Sequence, residues 1–261
     1  MSRESSDLYV MRPDLYDIMH ADHTEDMRFL EEFTGLLGDE PQVLELGCGT
    51  GRLLVPLLDA GATVVGLDRG AEMLKVARER LALYADRVTL VEGDMRHFDL
   101  HRTFDLVVIG LNTFMHMLTT ADQLACLECI RRHLRPAGLL LLDLANPHAV
   151  LRDTPMGVVQ HRFTRPAPLS PDTIVTLWST TLVATARQLT QTSLFFDEAV
   201  SSSGQLRRSV TDVYLRLVYR YELELLLNRA GFSVRNLYGD YESSPFDDDS
   251  ERLICVGIAH A

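Results

Sequence analysis

The run Val43-Leu44-Glu45-Leu46 enters the turn Gly47-Cys48-Gly49-Thr50-Gly51, and Arg52-Leu53-Leu54 leaves it on a second apolar stretch. That order is the pattern of a buried strand, a tight loop and the first turn of a helix. Glycines at 47, 49 and 51 permit positive φ and let a ligand reach the backbone with no Cβ in the way. The stretch therefore predicts a ligand cradle at the head of an α/β sheet. A dinucleotide loop would read G-x-G-x-x-G beside a pyrophosphate. This one is a residue shorter at its end and carries an acid, Glu45, inside the strand. An acid there suits an ammonium group better than a phosphate.

From Gln42 onward apolar runs and helical patterns alternate, which predicts a parallel sheet with right-handed crossovers. Strands are expected at 43–46, 62–67, 88–92, 104–111 and 139–144, with helices at 52–60, 71–84 and 121–134. After Pro147 the period changes. No strong helix is expected between there and Val218; the runs 173–184, 189–200 and 206–218 read instead as an antiparallel meander. A helix at 219–230 and strands at 232–238 and 252–259 resume the α/β pattern. Ahead of the sheet, Asp22 and Glu25 read as a helix-start signal, and Phe29, Leu30, Phe33, Leu36 and Leu37 share one helical face. The expected layout is thus an N-terminal helical segment, 1–40, a core of 41–147 with 219–261, and a β-rich insertion, 148–218.

The net charge of −12 disfavours a phosphate-backbone partner and leaves a small molecule as the expected ligand, with no nucleic acid. An amine would suit the acidic field. No apolar run reaches the length of a membrane span, and the polar N-terminus does not read as a signal peptide, so a cytoplasmic protein without a membrane partner is expected. Cys126 and Cys129 form C-x-x-C inside a helical pattern without a second pair to complete a zinc site. Asp247-Asp248-Asp249 reads as a solvated loop, so no metal is expected.

Polar signals recur at the C-terminal ends of four successive strands: Glu45 with the glycine loop, Asp68, Gly93-Asp94-Met95, and Leu111-Asn112-Thr113-Phe114-Met115-His116. Ligands of open α/β sheets bind outside those ends. The glycine loop resembles motif I of class I S-adenosylmethionine-dependent methyltransferases. Residues 42–144 resemble that family throughout, and 219–259 supply its remaining helix and strands. The resemblance implies an α/β, Rossmann-like seven-stranded sheet with an antiparallel insertion after strand five and an N-terminal helical lid.

It also implies roles. Glu45, with the Gly47 and Leu111 carbonyls, would face the cofactor's amino group beside Cys48 and Gly49, and Asp68 would take the ribose hydroxyls. Asp94 would accept from the adenine amine, with Met95 and Met73 flanking the ring. Arg69 is a candidate for lying along the adenine, and Arg28 for pairing with the carboxylate, against ordinary surface arginines in both cases. The cofactor brings its own activated methyl, so the protein must align the acceptor and exclude water. His116 is the candidate base, against a structural histidine. Tyr9 and Tyr16 are candidate lid hydroxyls that orient the amine or the methyl group, with His20 and His23 in the same segment.

Strand four lacks the Asn/Asp-Pro-Pro-Tyr signature of nucleobase and glutamine amide methylation. The lid tyrosines, the long insertion and Tyr219-Arg220-Tyr221-Glu222-Leu223-Glu224-Leu225-Leu226-Leu227 resemble bacterial N-methyltransferases of amino sugars and antibiotic precursors. In such relatives the meander covers the substrate pocket and supports subunit contacts, which implies a homo-oligomer. Trp178, Phe195 and Phe196 are candidates for the pocket wall or for plain core. Three readings stay open: an N-methyltransferase for a small amine, an O-methyltransferase using His116 or a tyrosine as base, and a cofactor-binding protein without transferase activity.

Overall fold

A computed structural model describes residues 12–168 and 170–260. Tyr9 lies outside them. The strands are β1 (Gln42–Leu46), β2 (Thr63–Asp68), β3 (Val88–Glu92), β4 (Phe104–Ile109), β5 (Leu134–Ala145), β10 (Phe232–Tyr238) and β11 (Arg252–Ala259) in one sheet of order β10-β11-β5-β4-β1-β2-β3. β1 through β5 pair in parallel, and β11 enters antiparallel between β5 and β10. Side chains alternate across this sheet as the two-residue strand period requires. Val107, Ile109, Leu140 and Leu142 face one layer, containing α5 (Thr120–His133) and α7 (Arg220–Arg229). Leu106, Val108, Leu139 and Leu141 face the other, which holds α2 (Glu25–Gly35), α3 (Leu54–Asp59) and α4 (Ala71–Arg80). Burial on both faces explains why these strands read as unbroken apolar runs.

The second sheet is an antiparallel meander of β6 (Gln160–Ala167), β7 (Ser170–Ala184), β8 (Leu189–Val200) and β9 (Gln205–Arg216). Helix α1 (Pro13–Met19) lays Leu15 and Ile18 against its Val175, Leu177, Leu194 and Phe196. Burying each such side chain is worth about 1.5–3 kcal/mol. The same helix sends Asp17 toward the glycine loop, where it accepts from Thr50 Oγ1 at 2.7 Å and pairs with Arg80 at 2.7 Å. One short helix thus ties the second sheet to the head of the first.

Several expectations are corrected. The insertion contains a helix, α6 (Pro147–Asp153), started by the Asn146 side chain accepting from the His148 N–H and by Pro147 in its first turn. The meander has four strands instead of three, and Leu217 and Val218 leave it to pack in the core of the first sheet. Helix α2 starts after Thr24, not Asp22, whose carboxylate pairs with Arg165 across to β6. The helix expected at 52–60 shrinks to α3. Leu134 already opens β5, so Arg135-Pro136 lies within the strand and does not merely stop the helix. Among the described residues no helix is long and apolar enough to cross a membrane.

Candidate active site

Glycine geometry sets the head of β1. Gly47 and Gly49 have φ of +73° and +54°, in the left-handed region. The Gly47 N–H donates to the Leu67 carbonyl at 2.7 Å. A Cβ on Gly47 would sit 2.3 Å from Thr113 Cγ2, so the loop after β4 closes directly on this turn. A Cβ on Gly49 would sit 3.8 Å from the Tyr16 ring, which places the lid helix against the loop. The Gly49 N–H also donates to Asp68 Oδ2 at 2.8 Å, while Asp68 Oδ1 accepts from the Gly70 N–H at 2.7 Å. These two bonds aim the carboxylate at the strand ends, although burial still raises its pKa above the ordinary value.

Beyond β4 the chain takes two consecutive non-glycine residues through the left-handed region, Leu111 at φ +46° and Asn112 at +67°. Such a pair needs outside support. Asp143 on β5 supplies it, its Oδ2 accepting from the Leu111 N–H at 2.9 Å and its carbonyl from the Asn112 N–H at 2.9 Å. Arg252, at the start of β11, ion-pairs with Asp143 and donates to Asn112 Oδ1 at 3.2 Å. Tyr241 Oη donates to the same carboxylate at 3.0 Å.

Between these strand ends and α1 lies a cavity of about 440 Å³, within the range usual for small-molecule sites. Of the residues singled out in the sequence, Tyr16, Gly47, Gly49, Asp68 and Arg69 line it. So do Met73, Asp94, Met95, Leu111 and His116. Asp94 is not idle: Arg96 grips it through Nε at 2.9 Å and Nη2 at 2.5 Å and reaches Asp122 at 2.9 Å. That guanidinium holds the Asp94 carboxyl down to about 2. Burial, aided by the Arg69 cation, pushes His116 down to about 4, so its imidazole is neutral at pH 7.

Other expected residues lie elsewhere. The Cys48 side chain is buried in the core facing α3 and does not line the cavity; the loop's backbone does. Arg28 is largely exposed on α2 and pairs with Glu32 at 3.5 Å, outside the cavity. Glu45 is 3% exposed beneath the loop; burial pushes its carboxyl up to about 8, and its Oε2 has no partner among the described residues. Arg52 stands nearby, ion-paired with Asp26, with its Nε buried and likewise unpartnered. The cavity also takes in His20, His23, Arg96, Asp122, Leu215 and Arg252. Of these only His20 and His23 carried a signal, as lid histidines. Arg252 and Leu215 arrive through sheet pairing far along the chain.

An open sheet whose strand-end loops cradle a ligand over a glycine turn, with an acid closing β2, defines a Rossmann-like, nucleoside-cofactor-binding enzyme. The chain belongs to the S-adenosylmethionine-dependent methyltransferases. Residues 43–138 match the methyltransferase domain family. The cypemycin N-terminal methyltransferase of Streptomyces sp is 32% identical over 218 residues, covering 84% of this chain and 83% of that protein. A dTDP-3-amino-3,6-dideoxy-alpha-D-glucopyranose N,N-dimethyltransferase of Streptomyces fradiae is 33% identical, over 50% of this chain and 51% of its own. The fold is also that of CalS10, an amino pentose methyltransferase from Micromonospora echinaspora solved with S-adenosylmethionine bound, at TM-score 0.74 and 23% identity over 97% of this chain and 98% of that one.

The residues present fit that cofactor. A buried carboxylate oxygen without a partner among the described residues, of the kind an ammonium group complements, lies beneath the glycine turn, and the turn offers a backbone that side chains would block. The acid closing β2 lines the cavity with each oxygen held by one backbone N–H, which leaves it lone pairs for hydroxyl donors.

Proposed function

We propose that this methyltransferase acts on the nitrogen of a small amine, an amino sugar or a related antibiotic precursor. The observation that carries the reading is the state of His116. An imidazole held at about 4 is a hydrogen-bond acceptor and a poor base. Every hydroxyl acceptor has a pKa well above that of this imidazole, so proton transfer to it from oxygen is uphill. An amine needs no such base, because its neutral form exists in solution and carries the lone pair. The two sequence relatives, an N-terminal methyltransferase and an amino-sugar N,N-dimethyltransferase, point the same way.

When bound, S-adenosylmethionine supplies a methyl group already activated by its sulfonium. Glu45 and the Gly47 and Leu111 carbonyls hold the amino end, and the unpartnered Nε of Arg52 is better placed than Arg28 for the carboxylate. Asp68 takes the ribose hydroxyls. Met73 and Met95 flank the adenine, and Asp94 uses the lone pairs left by Arg96 for the adenine amine. Arg69 lies along the same rim. Tyr16 and His116, which both line the cavity, would orient the acceptor, and residues 148–218, through Leu215, would close the cavity against water. Such alignment alone supplies about 7–11 kcal/mol in well-organised reactions.

The test is methyl transfer to glucosamine, to an alanine dipeptide, and to hydroxyl and phenol counterparts without the amine. Turnover confined to the amines is expected. Turnover of the hydroxyl compounds at equal rates would overturn the nitrogen assignment while leaving the methyltransferase class intact.

A further inference from the structure

His20 closes the C-terminal end of α1, its backbone N–H bonded to the Tyr16 carbonyl at 3.2 Å. Its ring packs on the Tyr16 ring with centroids 4.5 Å apart and stands 5.6 Å from that of His23. It lines the cavity, yet both ring nitrogens are buried and neither meets a hydrogen-bond partner among the described residues. Buried polar atoms in folded proteins are paired as a rule, and a side chain with two unpaired ones needs an explanation. An imidazole offers one N–H and one lone pair in its neutral form, so a ligand in the cavity can donate to it as well as accept from it.

We propose that His20 is an acceptor-binding residue: one ring nitrogen takes a hydrogen bond from the N–H of the incoming amine and so turns the amine's lone pair toward the methyl group. The inference rests on the amine reading above. Three observations favour the acceptor over the cofactor as the partner. The ring that packs on the Gly49 turn is that of Tyr16, and His20 packs on Tyr16. His20 closes the lid helix and lies on none of the strand-end loops that carry the glycine turn and Asp68. Burial, and after it the Arg52 cation, pushes the imidazole down to about 3, so it has no positive charge to offer a carboxylate. A neutral ring does not repel an amine that must itself be neutral to react.

His20→Phe keeps a ring on Tyr16 and removes both nitrogens, whereas His20→Gln keeps an N–H and a carbonyl oxygen. With glucosamine and an alanine dipeptide as probes, His20→Phe should lower kcat/KM for the amine by about tenfold or more. Affinity for S-adenosylhomocysteine, read by calorimetry, should stay within about twofold, and His20→Gln should recover most of the lost activity. If His20→Phe fails to fold, His20→Leu takes its place under the same readouts. An apolar variant with undiminished kcat/KM overturns the inference alone. So does loss of S-adenosylhomocysteine affinity in step with activity, which would put His20 on the cofactor. If the wild-type enzyme turns over neither amine, this inference and the amine reading fall together.

Discussion

Glu45→Gln tests the cofactor cradle most directly, because the same carboxylate destabilises the empty fold and is proposed to anchor the ligand. Glu45 lies in β1 between Gly66 and Val108. Burial raises its pKa from 4.5 to about 8, against the opposing pull of Arg52. The folded-state value lies above the unfolded one, so the stability held by the protonated acid is complete below about 4.5 and is lost as pH rises through about 8. Each tenfold displacement is about 1.4 kcal/mol, which makes the whole window worth about 5 kcal/mol. Glutamine does not titrate. Urea unfolding at about pH 5.5 and pH 8.5 should therefore show the wild type losing about 3 kcal/mol relative to Glu45→Gln. Ligand affinity should move the other way. Deleting one partner of a buried charge pair costs 2–5 kcal/mol, so S-adenosylhomocysteine should bind Glu45→Gln about a hundredfold more weakly. Parallel pH slopes in the two proteins would refute the desolvated acid, and unchanged affinity would refute its role as the ammonium partner.

Gly47→Ala forces a side chain onto a φ of +73° and a Cβ to within 2.3 Å of Thr113 Cγ2. A loss of about 2–3 kcal/mol in urea unfolding is expected, partly restored by adding Thr113→Ser; simple additivity would dismiss the contact. Asp143→Ala strands the Arg252 guanidinium and frees the Leu111–Asn112 backbone, so a stability loss of about 3–5 kcal/mol should accompany weaker cofactor binding in calorimetry. With a peptide amine as acceptor, kcat/KM should climb with unit slope up to the amine's own pKa of about 7.8 and then level. His116 is already neutral there, so an additional inflection near pH 6.5 would show that it titrates in the reaction after all.

The parts of the fold legible in the sequence were those coded locally. β3, β10 and β11 fall on the expected residues because each is a β-prone run, apolar or alternating, bounded by turn or polar signals. Asp68 and Asp94 could be named because a strand end and an acid coincide. β6 was missed because Gln160–Ala167 is a mostly exposed edge strand interrupted by Pro166, with little apolar alternation to read. α6 did have a signal, Asn146-Pro147, which serves equally as a strand exit and as a helix start. The tie from Arg96 to Asp122, the Glu45 orphan and the entry of Arg252 depend on which distant segments meet. No local window contains Arg252 together with Asp143, which lies 109 residues earlier.

β11 is a late segment of the chain, yet it is slotted between β5 and β10 and carries the arginine that holds the Leu111–Asn112 bend in place. The cradle's far wall therefore cannot harden until that strand has been inserted. A nascent or partly refolded chain with β1 to β5 already paired would own the glycine turn without a finished pocket. Cofactor retention during refolding is thus a readout of the last sheet-pairing event, and it should lag behind the recovery of secondary structure.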